Sequence, residues 1–216
     1  MNEIINKLKK DTNNLDNINY RKKRILFKDI YIVFNETLTS SSNISDFIIR
    51  SLNKIKIPSY NRIKNNISNF KYKEINTYKD LCLYLNSGFT IIMISRNKYL
   101  ALETKKDLSR GISTPTTENT PRGALDSFTE NIETNIGLIK RRIKSNDLWI
   151  KKYKLGKYTM TDVSLIYINS IIKPEIIDKI DKLINKINID GMIASGTLKN
   201  LIEKENKNPL PSTIGT

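Results

Sequence analysis

The sequence predicts an α/β chain of the α+β kind, built as two related subdomains. Short apolar runs suited to strands alternate with segments of helical periodicity, and a pattern from the first half of the chain recurs in the second. The 216 residues are 38% hydrophobic, which is enough for a core in each half. We expect each subdomain to be a small mixed β-sheet with packed helices, and a linker with a long helix to join them.

The first subdomain, residues 1–112, should hold a sheet with helices around it. Periodicity predicts helices over 3–11, 44–55 and 77–85. The run 30–34 (IYIVF) is apolar on both faces, which is typical of a strand covered on both sides, and a looser alternation over 67–75 predicts an outer strand. FTIIMIS and KYLALET flank Arg96-Asn97 in the pattern of a tight β-hairpin.

The linker and connecting helix are assigned to residues 113–145. Periodicity disappears from 105 to 124, where Ser, Thr, Pro and Gly are frequent. Beyond this stretch, apolar residues at spacings of three and four predict one stripe of a helix: Phe128, Ile132, Ile136, Ile139 and Ile143.

That helix should end in a cluster of four cations, which are Lys140, Arg141, Arg142 and Lys144. Acidic residues in the first turns and cations in the last complement the helix macrodipole, but one or two cations would suffice for that. We therefore expect some of the four to pair with carboxylates of a neighbouring subdomain, or to face anionic lipid or a sister subunit.

The second subdomain, residues 146–216, repeats this organisation. Its predicted elements are a strand pair over 149–155 and 163–168, a helix over 174–187, a turn at Asp190-Gly191 and a short helix over 196–203. KDIYIVF at 28–34 lies 133 residues before TDVSLIY, and LNKIKI at 52–57 lies 132 residues before INKINI. The same offset places the counterpart of the first hairpin beyond Thr216, so we expect the natural chain to continue.

The chain lacks the residues that most catalytic sites require. It has no histidine, and its one cysteine, Cys82, lies among leucines and is expected to be a buried structural thiol. No phosphate loop or dinucleotide fingerprint is present in the sequence. We therefore expect no enzyme activity, no catalytic residues, no metal site and no cofactor.

The net charge of +15 calls for an acidic partner, either nucleic acid or an anionic membrane surface. The lysines are spread along the chain, and a biased composition rich in Ile, Lys and Asn accounts for part of the charge. A basic nucleic-acid-binding module is one alternative function. The absence of aromatic stacking motifs argues against it.

Three motifs follow one another from about residue 120 to residue 216. Arg122-Gly123 precedes the helix that ends in LIKRRI (138–143), a Gly156-x-x-Thr-x-Thr161-x-Val pattern follows, and the Asp190-Gly191 turn leads to a Ser-Gly-x-Leu helix. In this order they resemble the N-terminal region of the A subunit of GerA-type spore germination receptors. The family's proline after Arg-Gly is replaced by Ala124, and its basic-acidic-Gly triplet by 125–127 (LDS).

The resemblance implies a receptor component that contributes to receptor assembly and to the signalling that triggers germination. Such A subunits have a cytosolic N-terminal domain of two α/β subdomains followed by membrane helices. They act with B and C subunits, and with other A subunits, in the spore inner membrane, this domain facing the spore core. A related stage V sporulation membrane protein shares the motifs and stays open as an alternative. The residues assigned interaction or structural roles are Arg122, Gly123, Lys140, Arg141, Arg142, Lys144, Gly156, Thr161, Asp190 and Gly191.

Overall fold

A computed structural model of the chain describes residues 2–12, 17–67, 71–107, 128–192 and 195–205. Helices and antiparallel sheet together form an α+β fold, which confirms the predicted fold class. The chain divides into two compact units, residues 1–148 and 149–216. Each unit has its own hydrophobic core.

The first unit is built on a five-stranded sheet. Its strands, in chain order, are β1 (Ile18–Ile25), β2 (Lys28–Asn35), β3 (Tyr72–Ile75), β4 (Phe89–Ser95) and β5 (Lys98–Glu103), and their order in space is β1-β2-β4-β5-β3. Every pairing in this sheet is antiparallel, so the expected mixed sheet is wrong for this unit. Two of the four pairings, β1–β2 and β4–β5, are hairpins with two-residue connections, which join only antiparallel strands because parallel strands need a long crossover.

Strands β2 and β4 lie inside the sheet and are covered on both faces. Ile30 and Ile32 of β2 belong to one core cluster, whereas Val33 belongs to a second cluster on the opposite face. Strand β4 (FTIIMIS) is buried at every position from Phe89 to Ile94. This confirms the prediction from the IYIVF run, because alternate side chains of one strand enter opposite layers. The outer strand is also confirmed, as β3 at the sheet edge.

Four helices cover the two faces of this sheet. They are α1 (Asn2–Asp11), α2 (41–53), α3 (Tyr60–Asn66) and α4 (Tyr78–Leu85). Helix α2 is continuous but has a π-helical middle, Ile44–Ile49, between α-helical ends. Side chains of α2 and α3 enter one core cluster, and side chains of α1 and α4 enter the other. The first unit therefore has three layers with the sheet in the middle.

The helix that carries the cation cluster is shorter than predicted, and Lys144 lies beyond its end. This helix, α5, spans Ile132–Arg142, and Asn131 caps its N-terminus by accepting a hydrogen bond from the backbone N–H of Thr134 at 3.0 Å. Phe128 precedes the cap and is 67% exposed, so its assignment to the apolar stripe of the helix is wrong. A capping asparagine satisfies a first-turn donor, and that local bond sets the boundary where periodicity alone would extend it. Helix α5 lies within the first unit.

The described part of the second unit, up to residue 205, consists of a strand pair and two helices. Strands β6 (Leu148–Leu155) and β7 (Thr161–Ile168) form a two-stranded sheet, and α6 (Pro174–Lys186) and α7 (Ser195–Glu205) follow. Its core is small: Leu155, Ile184 and Met192 are buried, with half-buried apolar residues around them. All four elements match the predicted ones within two residues.

The two units share a hairpin of the same size. Strands β1 and β6 are each eight residues long and have the same succession of buried, half-buried and exposed positions. Strands β2 and β7 are also eight residues each, and a helix follows both hairpins. The turns differ, with two residues (26–27) in the first hairpin and five (156–160) in the second. This agreement supports the internal repeat read from the sequence.

Candidate functional site

The turn of the second hairpin is locked by a close backbone approach at Gly156. The residue has a φ of 89°, a conformation that favours glycine. A Cβ atom placed there would lie 2.2 Å from Oγ1 of Thr159, and 3.2 Å from the backbone nitrogen of Met192. No side chain fits at this position without movement of the turn.

Hydrogen bonds join this turn to the segment between α6 and α7. The backbone N–H groups of Lys157 and Tyr158 donate to the carbonyl oxygens of Ile189 and Asp190, at 2.9 and 2.8 Å. The hydroxyl of Thr161 donates to the carbonyl of Met192 at 2.5 Å. We name residues 156–161 and 189–192 together the turn clamp.

Two threonine hydroxyls complete the turn clamp. Thr159 Oγ1 accepts a hydrogen bond from the Met192 N–H at 3.0 Å and lies 3.1 Å from the Thr161 hydroxyl oxygen. Gly191 lies against Thr159, whose methyl group would be 3.1 Å from an added Cβ. Four of the residues singled out in the sequence, Gly156, Thr161, Asp190 and Gly191, therefore meet in one structure. The Asp190 side chain is exposed, and the residue contributes through its carbonyl.

Next to the turn clamp, helix α6 is tied to strand β6 by a carboxylate. Asp181 accepts hydrogen bonds from the Lys151 ammonium and the Tyr153 hydroxyl. These two donors hold the pKa of the Asp181 carboxyl below its ordinary value, the lysine having the larger effect. Burial, followed by the hydrogen bond to Asp181, raises the pKa of Tyr153.

The cations at the end of α5 lie on the first unit, in different surroundings. Lys140 is buried, and Lys140 and Arg142 both have interaction partners. The Arg141 guanidinium donates to the backbone carbonyl of Lys106 at 2.6 Å, so its partner is a carbonyl and not the expected carboxylate. Lys144 is exposed and lines a cavity of about 300 Å³ together with Arg141, Gly88 and Lys105. Arg122 and Gly123 lie outside the described residues.

The first unit carries a second, larger cavity of about 450 Å³ beside the N-terminal end of α2. Charges of both signs, several hydroxyl groups and an apolar wall line it: Arg21, Glu36, Lys106, Thr39, Ser40, Ser41, Ser45, Phe34, Ile44 and Ile49. A cavity of this size and lining has room for a small polar organic molecule. No signal in the sequence pointed to it, because its residues come from three separate segments.

The described residues show little that suits catalysis. No group of three or more His, Cys, Asp or Glu side chains comes together there as a metal site. Cys82 is half-buried on α4, and burial raises the pKa of its thiol, the opposite of what an activated nucleophile requires. Within the same residues, no helix is both long enough and apolar enough to cross a membrane.

The fold is an α+β domain of the kind found in a spore germinant receptor. A crystal structure of the N-terminal domain of the A subunit of the Bacillus megaterium spore germinant receptor GerK3 superposes with a TM-score of 0.68 and 25% identity, over 96% of this chain and 80% of that one. The model of the Bacillus/Clostridium GerA spore germination protein family matches residues 6–216. The chain belongs to this family.

Curated relatives share parts of the chain. Spore germination protein KA of Bacillus subtilis is 36% identical over 54% of this chain, and spore germination protein A1 of the same species is 25% identical over 99%. Stage V sporulation protein AF, also of Bacillus subtilis, is 28% identical over 90%. The chain spans only 22%, 44% and 41% of the length of these three relatives.

Proposed function

We propose that this chain is the N-terminal domain of a nutrient germinant receptor A subunit, and that it contributes to receptor assembly and to the signal that starts germination. The observation that carries the proposal is the structural agreement with the GerK3 A-subunit domain over 96% of the chain. Its partners would be the receptor's B and C subunits and other A subunits. Its place would be the spore inner membrane, on the side of the spore core.

The turn clamp gives this proposal a physical basis within the second unit. It holds the segment 189–192 against the hairpin, and α7 begins three residues later. The clamp therefore sets where α7 starts relative to β6 and β7. In a longer receptor subunit, the second unit would therefore position the segment that follows α7.

The small core of the second unit also fits a responsive role. Among its described residues, three apolar side chains are buried in the core cluster, so polar contacts carry a large part of the organisation there. A unit held in this way can shift between arrangements at a low cost in free energy. The proposed role is one of binding and transmission, and no residue is assigned to catalysis.

Spores of the producing organism offer a direct test. The tagged full-length subunit, as wild type or with Gly156→Ala, would be recovered from spore membranes, and the amounts of the B and C subunits that accompany it would be measured. Gly196→Ala is the matched control, because an added Cβ there meets no atom within 4 Å. We expect Gly156→Ala alone to lower the recovery of the partner subunits or the germination response to nutrient. Unchanged recovery and response would contradict the proposal.

A further inference from the structure

Two large apolar residues stand at the tip of the β1–β2 hairpin. Leu26 and Phe27 form the whole loop between the paired residues Ile25 and Lys28. Leu26 is 59% exposed and Phe27 is 94% exposed. Phe27, at the turn of the hairpin, is thus almost fully in contact with solvent.

The backbone of this tip is strained as well. Leu26 has a φ of 51°, a region that L-residues avoid and that two-residue hairpin loops usually fill with Gly, Asn or Asp. The β4–β5 hairpin of the same unit follows the usual rule, with Asn97 at a φ of 56°. Folding of the first unit gains nothing from Leu-Phe at this tip, because neither side chain is buried.

Cations surround the base of the tip. Residues 21–29 (RKKRILFKD) carry five cations and one carboxylate, and that carboxylate, Asp29, pairs with Lys22 at 2.8 Å. Lys28 follows the apolar pair directly, and Arg24 precedes it with Ile25 between them. Lys23 donates to the side-chain oxygen of Asn53 at the end of α2, which places that end beside the hairpin.

The residues that follow α2 are also cationic and apolar. Two more exposed cations, Lys54 and Lys56, follow Asn53, and the next residue, Ile57, is 51% exposed. Exposed apolar residues next to several cations are typical of segments that lie at a membrane interface. In such segments the apolar side chains lie among the acyl chains and the cations contact the anionic headgroups.

We propose that this hairpin tip docks the first unit onto an anionic lipid bilayer. Leu26 and Phe27 enter the boundary between headgroups and acyl chains, while Arg24, Lys28, Lys54 and Lys56 contact the headgroups. Lipid fits better than a protein groove or nucleic acid, since the apolar pair stands at a hairpin turn with cations beside it. It also offers only one aromatic ring, next to an aliphatic residue that cannot stack on bases. The inference goes beyond the receptor role and rests on the hairpin tip and on the residues that follow α2.

The test measures binding of the 216-residue chain to vesicles of phosphatidylcholine with and without about one third phosphatidylglycerol, a content at which cationic surfaces bind measurably. The informative variant is Leu26→Gly with Phe27→Ser, which removes the apolar pair and relieves the strained φ, so it should fold at least as well as wild type. Phe128→Ser is the matched control, because Phe128 is an exposed aromatic elsewhere in the chain. We expect binding to the anionic vesicles only, weakened about tenfold by the tip variant and unchanged by Phe128→Ser.

A second pair of variants distinguishes the effect of the cations at the hairpin tip on vesicle binding from the effect of the total charge. Arg24→Gln with Lys28→Gln should weaken binding several-fold, and Lys179→Gln with Lys182→Gln, two exposed lysines of α6, should have little effect. The proposal is overturned if wild type does not bind the anionic vesicles, if the tip variant binds as well as wild type, or if both charge pairs weaken binding equally. Tip-dependent binding to duplex DNA in place of vesicles would also overturn it.

Discussion

Gly156 is the residue whose replacement has the most definite consequence. Its φ of 89° and the 2.2 Å approach of Thr159 to an added Cβ leave no room for a side chain. Gly156→Ala should therefore lower the free energy of unfolding of the second unit by about 1–3 kcal/mol. Hydrogen exchange of β6, β7 and α6 would show the change as faster exchange. Gly196→Ala, in open space on α7, should leave exchange in these elements unchanged, and equal effects of both variants would refute the clamp.

Asp181 gives the second unit a pH dependence. The pKa of the Asp181 carboxyl is lower in the folded state than in the unfolded chain. Its contribution to the free energy of unfolding is therefore complete at pH values above the ordinary carboxyl pKa. That contribution disappears as the pH falls through the lowered folded-state pKa. Asp181→Asn should cost roughly 1 kcal/mol at pH 7, and the difference from wild type should shrink below about pH 4. Urea unfolding of both proteins across this range measures it. Asp178→Asn, an exposed neighbour on α6, is the control, and a difference independent of pH would contradict the assignment.

At the scale of elements, the start of α5 depends on one side chain. The Asn131 oxygen accepts the hydrogen bond from Thr134 N–H that begins the helix. Asn131→Ala should cost about 1 kcal/mol of stability and increase hydrogen exchange in the first turn of α5, whereas Asn131→Asp should retain the cap. If the alanine variant exchanges like wild type, the boundary of the helix has another cause.

Strong periodicity or a continuous apolar run made most elements predictable. Strand β2 and the β4–β5 hairpin are examples, because burial on both faces leaves an unbroken apolar run. Strand β1 was missed, since four successive cations, from Arg21 to Arg24, hide an edge strand in which only Ile18 and Ile25 are buried. Helix α3 was missed because it is seven residues long and buries only Ile63.

Four residues of the turn clamp could be singled out from the sequence, but their contacts could not. The turn residues Gly156, Thr161, Asp190 and Gly191 follow from turn chemistry and from the family resemblance. Their meeting depends on hydrogen bonds between residues some thirty positions apart, and no pattern in the sequence pairs Thr159 or Thr161 with Met192. The cavity beside α2 could not be predicted either, because its lining residues come from three separate segments.

At the scale of the whole molecule, the two units share a hairpin pattern but differ in the depth of their cores. The first has a sheet covered on both faces, and the second has two strands with no fully buried residue in β7. The second unit should therefore unfold at a lower urea concentration than the first. Separate midpoints, followed by hydrogen exchange of β4 and β7, would show this order, and a single shared transition would contradict it.

The measurement that tests the central claim most directly is the behaviour of spores that lack the gene. Optical density would be followed after addition of each nutrient in a panel of amino acids, sugars and nucleosides, with the yield of mature spores as the reference. A receptor role predicts a normal yield of spores together with a lost or slowed response to at least one nutrient, restored by the wild-type gene. A reduced yield with unchanged responses, as expected of a protein needed for sporulation, would contradict the account.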